Sequence, residues 1–211
     1  MIRGLYAITP DSLATDELLR RAALALEGGA RVLQYRRKAT PPQDRAPEAA
    51  RLRALCGACG ALFLVNDDPR LAAEVGADGV HLGRHDGAVA QARRLMGGRA
   101  IVGVSCYDEP ARGEAALADG ADYVAFGSFF PSRVKPGAVR PPLSLLGAAR
   151  HRLGLPMVAI GGITLDTAPT LLQAGADAVA VISDLFEASD VRDRAAAYAR
   201  LFSPPVPAEA P

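Results

Sequence analysis

The sequence has no tryptophan, only three cysteines and almost no excess of either charge. Its 24 Lys and Arg residues nearly balance 23 Asp and Glu residues, so no overall field attracts nucleic acid or an anionic membrane surface. No apolar run reaches the roughly 18 residues of a transmembrane helix, and the N-terminus lacks the pattern of a secretory signal. We therefore expect a cytoplasmic protein that binds neither nucleic acid nor membrane, and that holds any anion in a local site.

The few cysteines and histidines lack the spacing of a metal site. Cys56 and Cys59 form a CGAC pair, and Cys106 stands apart. The pair falls near the end of a predicted helix, whereas a reactive CxxC motif needs a helix N-terminus to lower its thiol pKa. We interpret the pair as two small residues at a helix end, and His81 as a partly buried histidine at a strand end rather than a metal ligand.

A recurring pattern predicts the architecture. Four segments contain a helix end, a glycine, an alanine and then an apolar strand: EGGARVLQY (27–35), EVGADGVHLG (74–83), ADGADYVAFG (118–127) and QAGADAVAVIS (173–183). Four further apolar strands lie at 4–9, 61–66, 100–105 and 156–162. Strands that alternate with helices predict a parallel sheet of the α/β class, and eight of them fit a closed (β/α)8 TIM barrel. Periodicity does not reveal closure, so an open doubly wound sheet is the alternative.

The length of 211 residues predicts one domain. We expect residues 1–202 to form a single catalytic barrel. Residues 203–211, SPPVPAEAP, are proline-rich and predicted to be disordered. The sequence leaves the oligomeric state open, and a homo-oligomer is compatible with it.

Polar residues gather where the predicted strands end, which is the end at which barrel enzymes build their active sites. The stretches are QYRRK (34–38), NDD (66–68), HLGRHD (81–86), SCY (105–107), PSRVK (131–135), GGI (161–163) and IS (182–183). Taken singly, each has a plain interpretation, such as a solvated loop, a tight turn, or Asn66 as the cap of the next helix. Seven such stretches at the same end of the barrel indicate an active site.

These stretches divide into two chemical groups. GGI and IS provide backbone N–H groups where barrels commonly bind phosphate, which predicts a monophosphate substrate. On the other side, the cations of Arg36, Lys38 and Lys135 accompany two carboxylates, Asp67 and Asp86. That combination suits Mg²⁺ held by the carboxylates and a pyrophosphate that bridges it to Lys and Arg. We therefore expect a site for two anionic small-molecule substrates.

As an ordered set on eight strands, these motifs resemble the thiamine-phosphate synthase family over residues 4–202. The resemblance is carried by QYRRK, ND, HLGRHD, GVS, GSFFPSRVKPGA, AIGGI and AVIS. It implies a Mg²⁺-dependent transferase of thiamine biosynthesis, in which hydroxymethylpyrimidine diphosphate loses pyrophosphate and is attached to the ring nitrogen of hydroxyethylthiazole phosphate. A dissociative step of this kind needs a stabilised leaving group and a dry site rather than a base or a nucleophile.

The resemblance also implies roles for individual residues. The pyrimidine diphosphate would be held by Gln34, Tyr35, Arg36, Arg37, Lys38, Asn66, Ser105 and Lys135, of which Arg36, Lys38, Ser105 and Lys135 form the catalytic set. The thiazole phosphate would be bound by Ser132, Arg133, Val134, Gly162, Ile182 and Ser183, and Mg²⁺ by Asp67 and Asp86. No histidine accompanies Ser105 in its motif, so we expect neither Ser105 nor Cys106 to act as a nucleophile.

Three residues depart from the family's usual pattern: Val134 replaces a threonine, Arg37 an acidic residue and Asp184 a small one. The alternatives to a synthase are a thiazole tautomerase-like enzyme and a non-catalytic phosphate-binding barrel. The tautomerase branch uses a histidine near the end of the fifth strand, where this chain has SCYD. A phosphosugar epimerase or isomerase would share the glycine cradle, but it needs a paired acid and base rather than a cation cluster. The synthase is the favoured interpretation.

Overall fold

The computed structural model describes residues 1–132, 137 and 139–203. Its eight parallel strands pair in sequence order, and the last returns to the first, so the sheet is closed. The strands are β1 Gly4–Ile8, β2 Val32–Tyr35, β3 Leu62–Asn66, β4 Gly79–Leu82, β5 Ile101–Tyr107, β6 Tyr123–Phe126, β7 Met157–Ile160 and β8 Ala178–Val181. Closure confirms the predicted (β/α)8 barrel and rules out the open sheet. Residues 204–211, most of the segment predicted to be disordered, lie outside the described residues.

Helices follow the strands around the outside of the barrel. They are α1 Thr15–Glu27, α2 Pro42–Cys59, α3 Pro69–Glu74, α4 Val89–Met96, α5 Pro110–Ala118, α6 Ser144–Leu153, α7 Ala168–Gln173, α8 Ser183–Phe186 and α9 Val191–Arg200. Within the described ranges, none of them is long and apolar enough to cross a membrane.

The core has two layers because successive strand residues point to opposite faces. The larger layer lies between the sheet and the helices, and it includes Leu33, Phe63 and Phe126. The smaller layer fills the barrel interior, where Tyr6 and Tyr123 are fully buried. Gly103 makes room for the second ring, since a Cβ there would lie 2.0 Å from Cζ of Tyr123. The interior therefore carries two phenol groups beneath the carboxyl ends of the strands.

In three of the four recurring segments an aspartate follows the glycine and alanine, and these aspartates are structural. The carboxylates of Asp78, Asp122 and Asp177 each accept a backbone N–H from the start of the preceding strand, at 2.7 to 2.8 Å. These bonds lie at the end of the barrel where the strands begin, which serves stability rather than catalysis in this fold. The pattern that revealed the barrel therefore belongs to its scaffold.

The cysteines occupy structural positions. Cys59 is the last residue of α2, and Gly60 follows it in the left-handed conformation that ends many helices. All three thiols are free, and burial raises the pKa of both Cys56 and Cys106 to about 12. Because a thiol with so high a pKa holds its proton at neutral pH, neither Cys56 nor Cys106 is suited to act as a nucleophile.

Candidate active site

The carboxyl ends of the eight strands open into a cavity of about 470 Å³. Every strand, or the loop that follows it, contributes to the wall of this cavity. Of the residues predicted to form the site, the wall contains Gln34, Arg36, Asn66, Ser105, Ser132, Gly162, Ile182 and Ser183. Residues from both chemical groups of the sequence therefore share one cavity.

Five predicted residues that the structure describes do not line this cavity: Lys38, Asp67 and Asp86 lie beside it, whereas Tyr35 and Arg37 point away from it. Gln34 faces the barrel interior, so the alternation of the strand turns Tyr35 toward the helices, where it is buried. The guanidinium of Arg37 bonds Glu48 at 3.0 Å and the carbonyl of Leu13 at 2.7 Å. The unusual arginine at position 37 therefore neutralises a buried glutamate, and the structure does not bring these two side chains into the site.

Three further predicted residues, Arg133, Val134 and Lys135, lie outside the described residues, so their roles stay predictions. Ser132, immediately before them, lines the cavity. The loop that was expected to contact both substrates therefore begins at the cavity wall.

The cationic side of the cavity is organised by Asp11, which sequence reasoning missed. Its carboxylate accepts Nη1 of Arg36 at 3.0 Å and the backbone N–H of Lys38 at 2.6 Å. The ammonium of Lys38 lies 3.2 Å from Oδ2 of Asp67. Asp11 thus holds the loop after β2 so that a guanidinium and an ammonium stand on the same side of the barrel mouth.

The two predicted metal ligands, Asp67 and Asp86, come together beside Gly83. Asp67 takes a left-handed conformation, with φ of 65°, and its N–H donates to the carbonyl of His81. Asp86 accepts the N–H of Gly83 at 2.8 Å. Burial raises the pKa of Asp86, and the adjacent carboxylate of Asp67 raises it further. The proximity of two carboxylates therefore favours a proton or a cation at this point.

This pair of carboxylates suits Mg²⁺. Within the part of the chain that the structure describes, no group of three or more His, Cys, Asp or Glu residues could hold a metal ion. Mg²⁺ is usually bound through one or two carboxylates, with water and substrate phosphates completing its coordination. The donor set of Asp67 and Asp86 therefore fits this kind of Mg²⁺ coordination.

The neighbouring Asn66 is free to face the cavity because another residue caps the next helix. Oδ1 of Asp68 accepts the N–H groups of Arg70 and Leu71, each at 3.0 Å, at the start of α3. The alternative interpretation of Asn66 as the helix cap is therefore wrong.

The opposite side of the cavity is built from glycines packed against backbone. Gly162 has a φ of 61°, and a Cβ there would lie 2.2 Å from the carbonyl oxygen of Pro131. Phe130 donates its N–H to the carbonyl of Gly161 at 3.0 Å. Ile182 and Ser183 complete this wall at the start of α8, where the first backbone N–H groups of a helix have no partner within the helix.

Asp184, the unusual carboxylate on this side, is paired. Nη1 of Arg194 lies 2.9 Å from each of its two oxygens, and the hydroxyl of Tyr198 donates to it at 2.7 Å. Both Asp184 and Arg194 line the cavity. Helix α9 therefore supplies the charge that compensates for this carboxylate.

The floor of the cavity holds a chain of hydrogen bonds that the sequence did not reveal. Gln34 donates to Tyr6 at 2.7 Å, and the hydroxyls of Tyr6 and Tyr123 are 2.8 Å apart. Tyr123 lies 2.9 Å from Nδ1 of His81, and Nε2 of His81 lies 2.8 Å from Oγ of Ser105. The period-two alternation of β1 and β6 could have placed both tyrosines inside the barrel, but not in contact.

His81, predicted to be partly buried, is buried, and the fold brings it to Ser105, which sequence proximity could not show. A nucleophilic serine needs a histidine that is oriented by a carboxylate. Here the second ring nitrogen meets the phenol of Tyr123 instead. The contact therefore does not complete a Ser-His-acid triad.

Comparison with known proteins points to one family. A sequence model of the TMP-TENI family, described as thiamine monophosphate synthase, matches residues 5–185. The chain is 54% identical to the thiamine-phosphate synthase of Azoarcus sp. (strain BH72), covering 96% of this chain and 98% of that protein. It is 52% identical to the thiamine-phosphate synthase of Methylococcus capsulatus, covering 96% and 91%. Its fold is similar to that of thiamine phosphate pyrophosphorylase from Pyrococcus furiosus, with 33% identity, a TM-score of 0.83 and coverage of 94% and 95%.

Proposed function

Because the chain belongs to the thiamine monophosphate synthase family, it is a transferase, and we propose that it joins hydroxymethylpyrimidine diphosphate to hydroxyethylthiazole phosphate. The family predicted from the strand-end motifs is thereby confirmed. Thiamine phosphate and pyrophosphate would be the products. The observation that best supports these substrates is the arrangement around one cavity: Arg36 lines one side, with Lys38 and the two carboxylates of Asp67 and Asp86 beside it, whereas Gly162 and Ser183 line the other side. Each side suits one anion.

The cation and carboxylate side suits the diphosphate. Arg36 and Lys38 would donate to its oxygens, and Asp67 and Asp86 would hold Mg²⁺. When bound there, Mg²⁺ would neutralise the charge that develops on the leaving pyrophosphate. A contact of the same group with Lys135, which lies outside the described residues, is part of this proposal. Both cations already have carboxylate partners, so they are held at the cavity mouth before substrate arrives.

We propose a dissociative reaction. The bond between the pyrimidine methylene carbon and the diphosphate oxygen would break first, and its electron pair would leave with pyrophosphate. The lone pair of the thiazole nitrogen would then form the new carbon–nitrogen bond. Apolar side chains of Ile8, Val158 and Ile160 line the cavity and would keep water from the carbocation.

The glycine and serine side suits the thiazole phosphate, which leads to a test on Arg194. Replacing it by glutamine leaves Asp184 without its guanidinium beside the proposed phosphate, so repulsion should weaken binding about ten-fold. Isothermal titration calorimetry with hydroxyethylthiazole phosphate measures this change.

Arg150→Gln is the matched control, because it breaks a similar contact of 2.6 Å with Asp177 at the other end of the barrel. Wild type and this control should bind the compound equally. If wild type fails to bind it, the proposed substrate is wrong; if Arg194→Gln binds it like wild type, the compensating role of Arg194 is wrong.

A further inference from the structure

The chain of hydrogen bonds on the cavity floor joins two residues that both line the cavity. Its members are, in order, Gln34, Tyr6, Tyr123, His81 and Ser105, and each contact is between 2.7 and 2.9 Å. Gln34 lies near the end of β2 and Ser105 in β5, three strands further around the barrel. Each hydroxyl can donate only one proton. The direction of donation at one end of the chain therefore fixes the direction at the other end.

The direction of donation follows step by step from Gln34. Its amide nitrogen donates to Tyr6, so the proton of Tyr6 is directed at Tyr123, the other hydroxyl within hydrogen-bond distance among the described residues. Tyr123 then accepts from Tyr6 and donates to Nδ1 of His81. With the amide nitrogen of Gln34 directed at Tyr6, any other arrangement would leave a hydroxyl proton of a fully buried phenol without an acceptor, which is costly.

Two properties of the phenols support this direction. Burial raises the pKa of Tyr6 and of Tyr123, so both hydroxyls keep their protons at neutral pH. The rings are tilted against each other at a centroid distance of 6.2 Å, and Gly103 leaves no spare volume beside Tyr123. The phenols are therefore held in place as donors.

We infer that this chain fixes His81 as the neutral tautomer with its proton on Nε2, and thereby makes Ser105 a hydrogen-bond donor toward the cavity. Ser105 accepts from Nε2, so its own proton remains for a ligand. At the other end, Gln34 uses its nitrogen on Tyr6 and keeps its amide oxygen for a ligand. His81 and Tyr123 are positioning residues in this scheme, because they act through Ser105.

The inference rests on the proposed function and explains why the direction matters. The substrate would have an amino-bearing pyrimidine, which donates, at one end and a diphosphate, which accepts, at the other. An acceptor at Gln34 and a donor at Ser105 match these two ends. The reverse direction would place a donor opposite the amino group and an acceptor opposite the diphosphate, so the same residues would disfavour the substrate.

The tautomer can be measured directly by ¹⁵N NMR of the histidine side chains in the full chain without substrate. The sequence has three histidines, and His81→Gln identifies the signals of His81 by their loss. The expected result is a single tautomer with a protonated Nε2 and a bare Nδ1. A proton on Nδ1 in wild type would overturn the inference, since the chain would then run in the opposite direction.

Tyr123→Phe removes the donor to Nδ1 while keeping the ring. The signals of His81 should then show a mixture of tautomers, and kcat should fall about ten-fold with a smaller change in KM, because Ser105 loses its fixed direction toward the leaving group. Unchanged signals of His81 in this variant would also overturn the inference.

Tyr198→Phe is the matched control, since it removes another buried phenol hydrogen bond, to Asp184, outside the chain. It should leave the signals of His81 unchanged; if both variants alter them equally, the effect is general loosening and the inference fails. Because the NMR readout needs no turnover, it stands apart from the proposed function, which would fail instead by an absence of product from wild type.

Discussion

Asp86→Asn is expected to lower turnover about 100-fold or more and, at the same time, to raise the melting temperature in metal-free buffer. Turnover falls because the proposed Mg²⁺ loses one of its two carboxylates. Stability rises because burial and the carboxylate of Asp67 raise the pKa of Asp86. An acid whose pKa is higher in the folded state loses favourable free energy as the pH rises through that pKa, so at neutral pH its charge is a penalty. Asparagine removes that charge.

The two readouts are steady-state kinetics and thermal unfolding, each compared with Asp16→Asn. Asp16 has a side chain that is 92% exposed and lies in α1, so its replacement should change neither quantity. Near-normal turnover of Asp86→Asn would show that this carboxylate does not hold a required metal. A lower melting temperature would show that the two carboxylates do not repel each other in the folded protein.

Gly162→Ala is expected to damage both stability and binding of the thiazole phosphate. The new Cβ would lie 2.2 Å from the carbonyl oxygen of Pro131 and 2.7 Å from that of Phe130, so backbone must move. That movement would displace the wall that ends at Ser132. We expect the free energy of unfolding to fall by about 2–4 kcal/mol, because alanine is strained in the left-handed backbone conformation and its Cβ overpacks the site. The KM for the thiazole phosphate should rise at least about ten-fold.

Gly154→Ala is the matched control, because it distinguishes the cost of backbone strain from the cost of the steric clash expected in Gly162→Ala. Gly154 has the same φ of 61° at the end of α6, but a Cβ there would meet nothing within 4 Å. This control should lose only about 1–2 kcal/mol of stability and keep its turnover. Equal behaviour of the two variants would mean that the contact between Gly162 and the loop after β6 has no role in the site.

The fold could be predicted from the sequence because its signal is local and repeated. Four of the eight apolar strands follow a helix end with glycine and alanine, and the alternation of strands and helices admits few architectures. Closure of the sheet into a barrel could not be predicted from this local pattern, since it depends on the pairing of β1 with β8, which are far apart in the sequence. The scaffold role of Asp78, Asp122 and Asp177 could be recognised only from the structure, because each carboxylate accepts a hydrogen bond from the strand before its own.

The site could be predicted in outline, because residues at the carboxyl ends of parallel strands meet at one end of the barrel. The sequence did not show which residues contact the charged side chains. Arg37 was predicted to help hold the diphosphate, but it contacts Glu48, and the unusual Asp184 is paired with Arg194. The interior chain through Tyr6 and Tyr123 was invisible because each tyrosine is an ordinary strand residue when considered alone.

The central claim is tested most directly by product formation. The purified protein is incubated with hydroxymethylpyrimidine diphosphate, hydroxyethylthiazole phosphate and Mg²⁺, with and without a chelator, and thiamine phosphate is measured. We predict that product forms only when both substrates and free Mg²⁺ are present, and that excess Mg²⁺ restores the chelated reaction. An absence of thiamine phosphate under all conditions, from protein that still binds the thiazole phosphate, would contradict the proposed reaction.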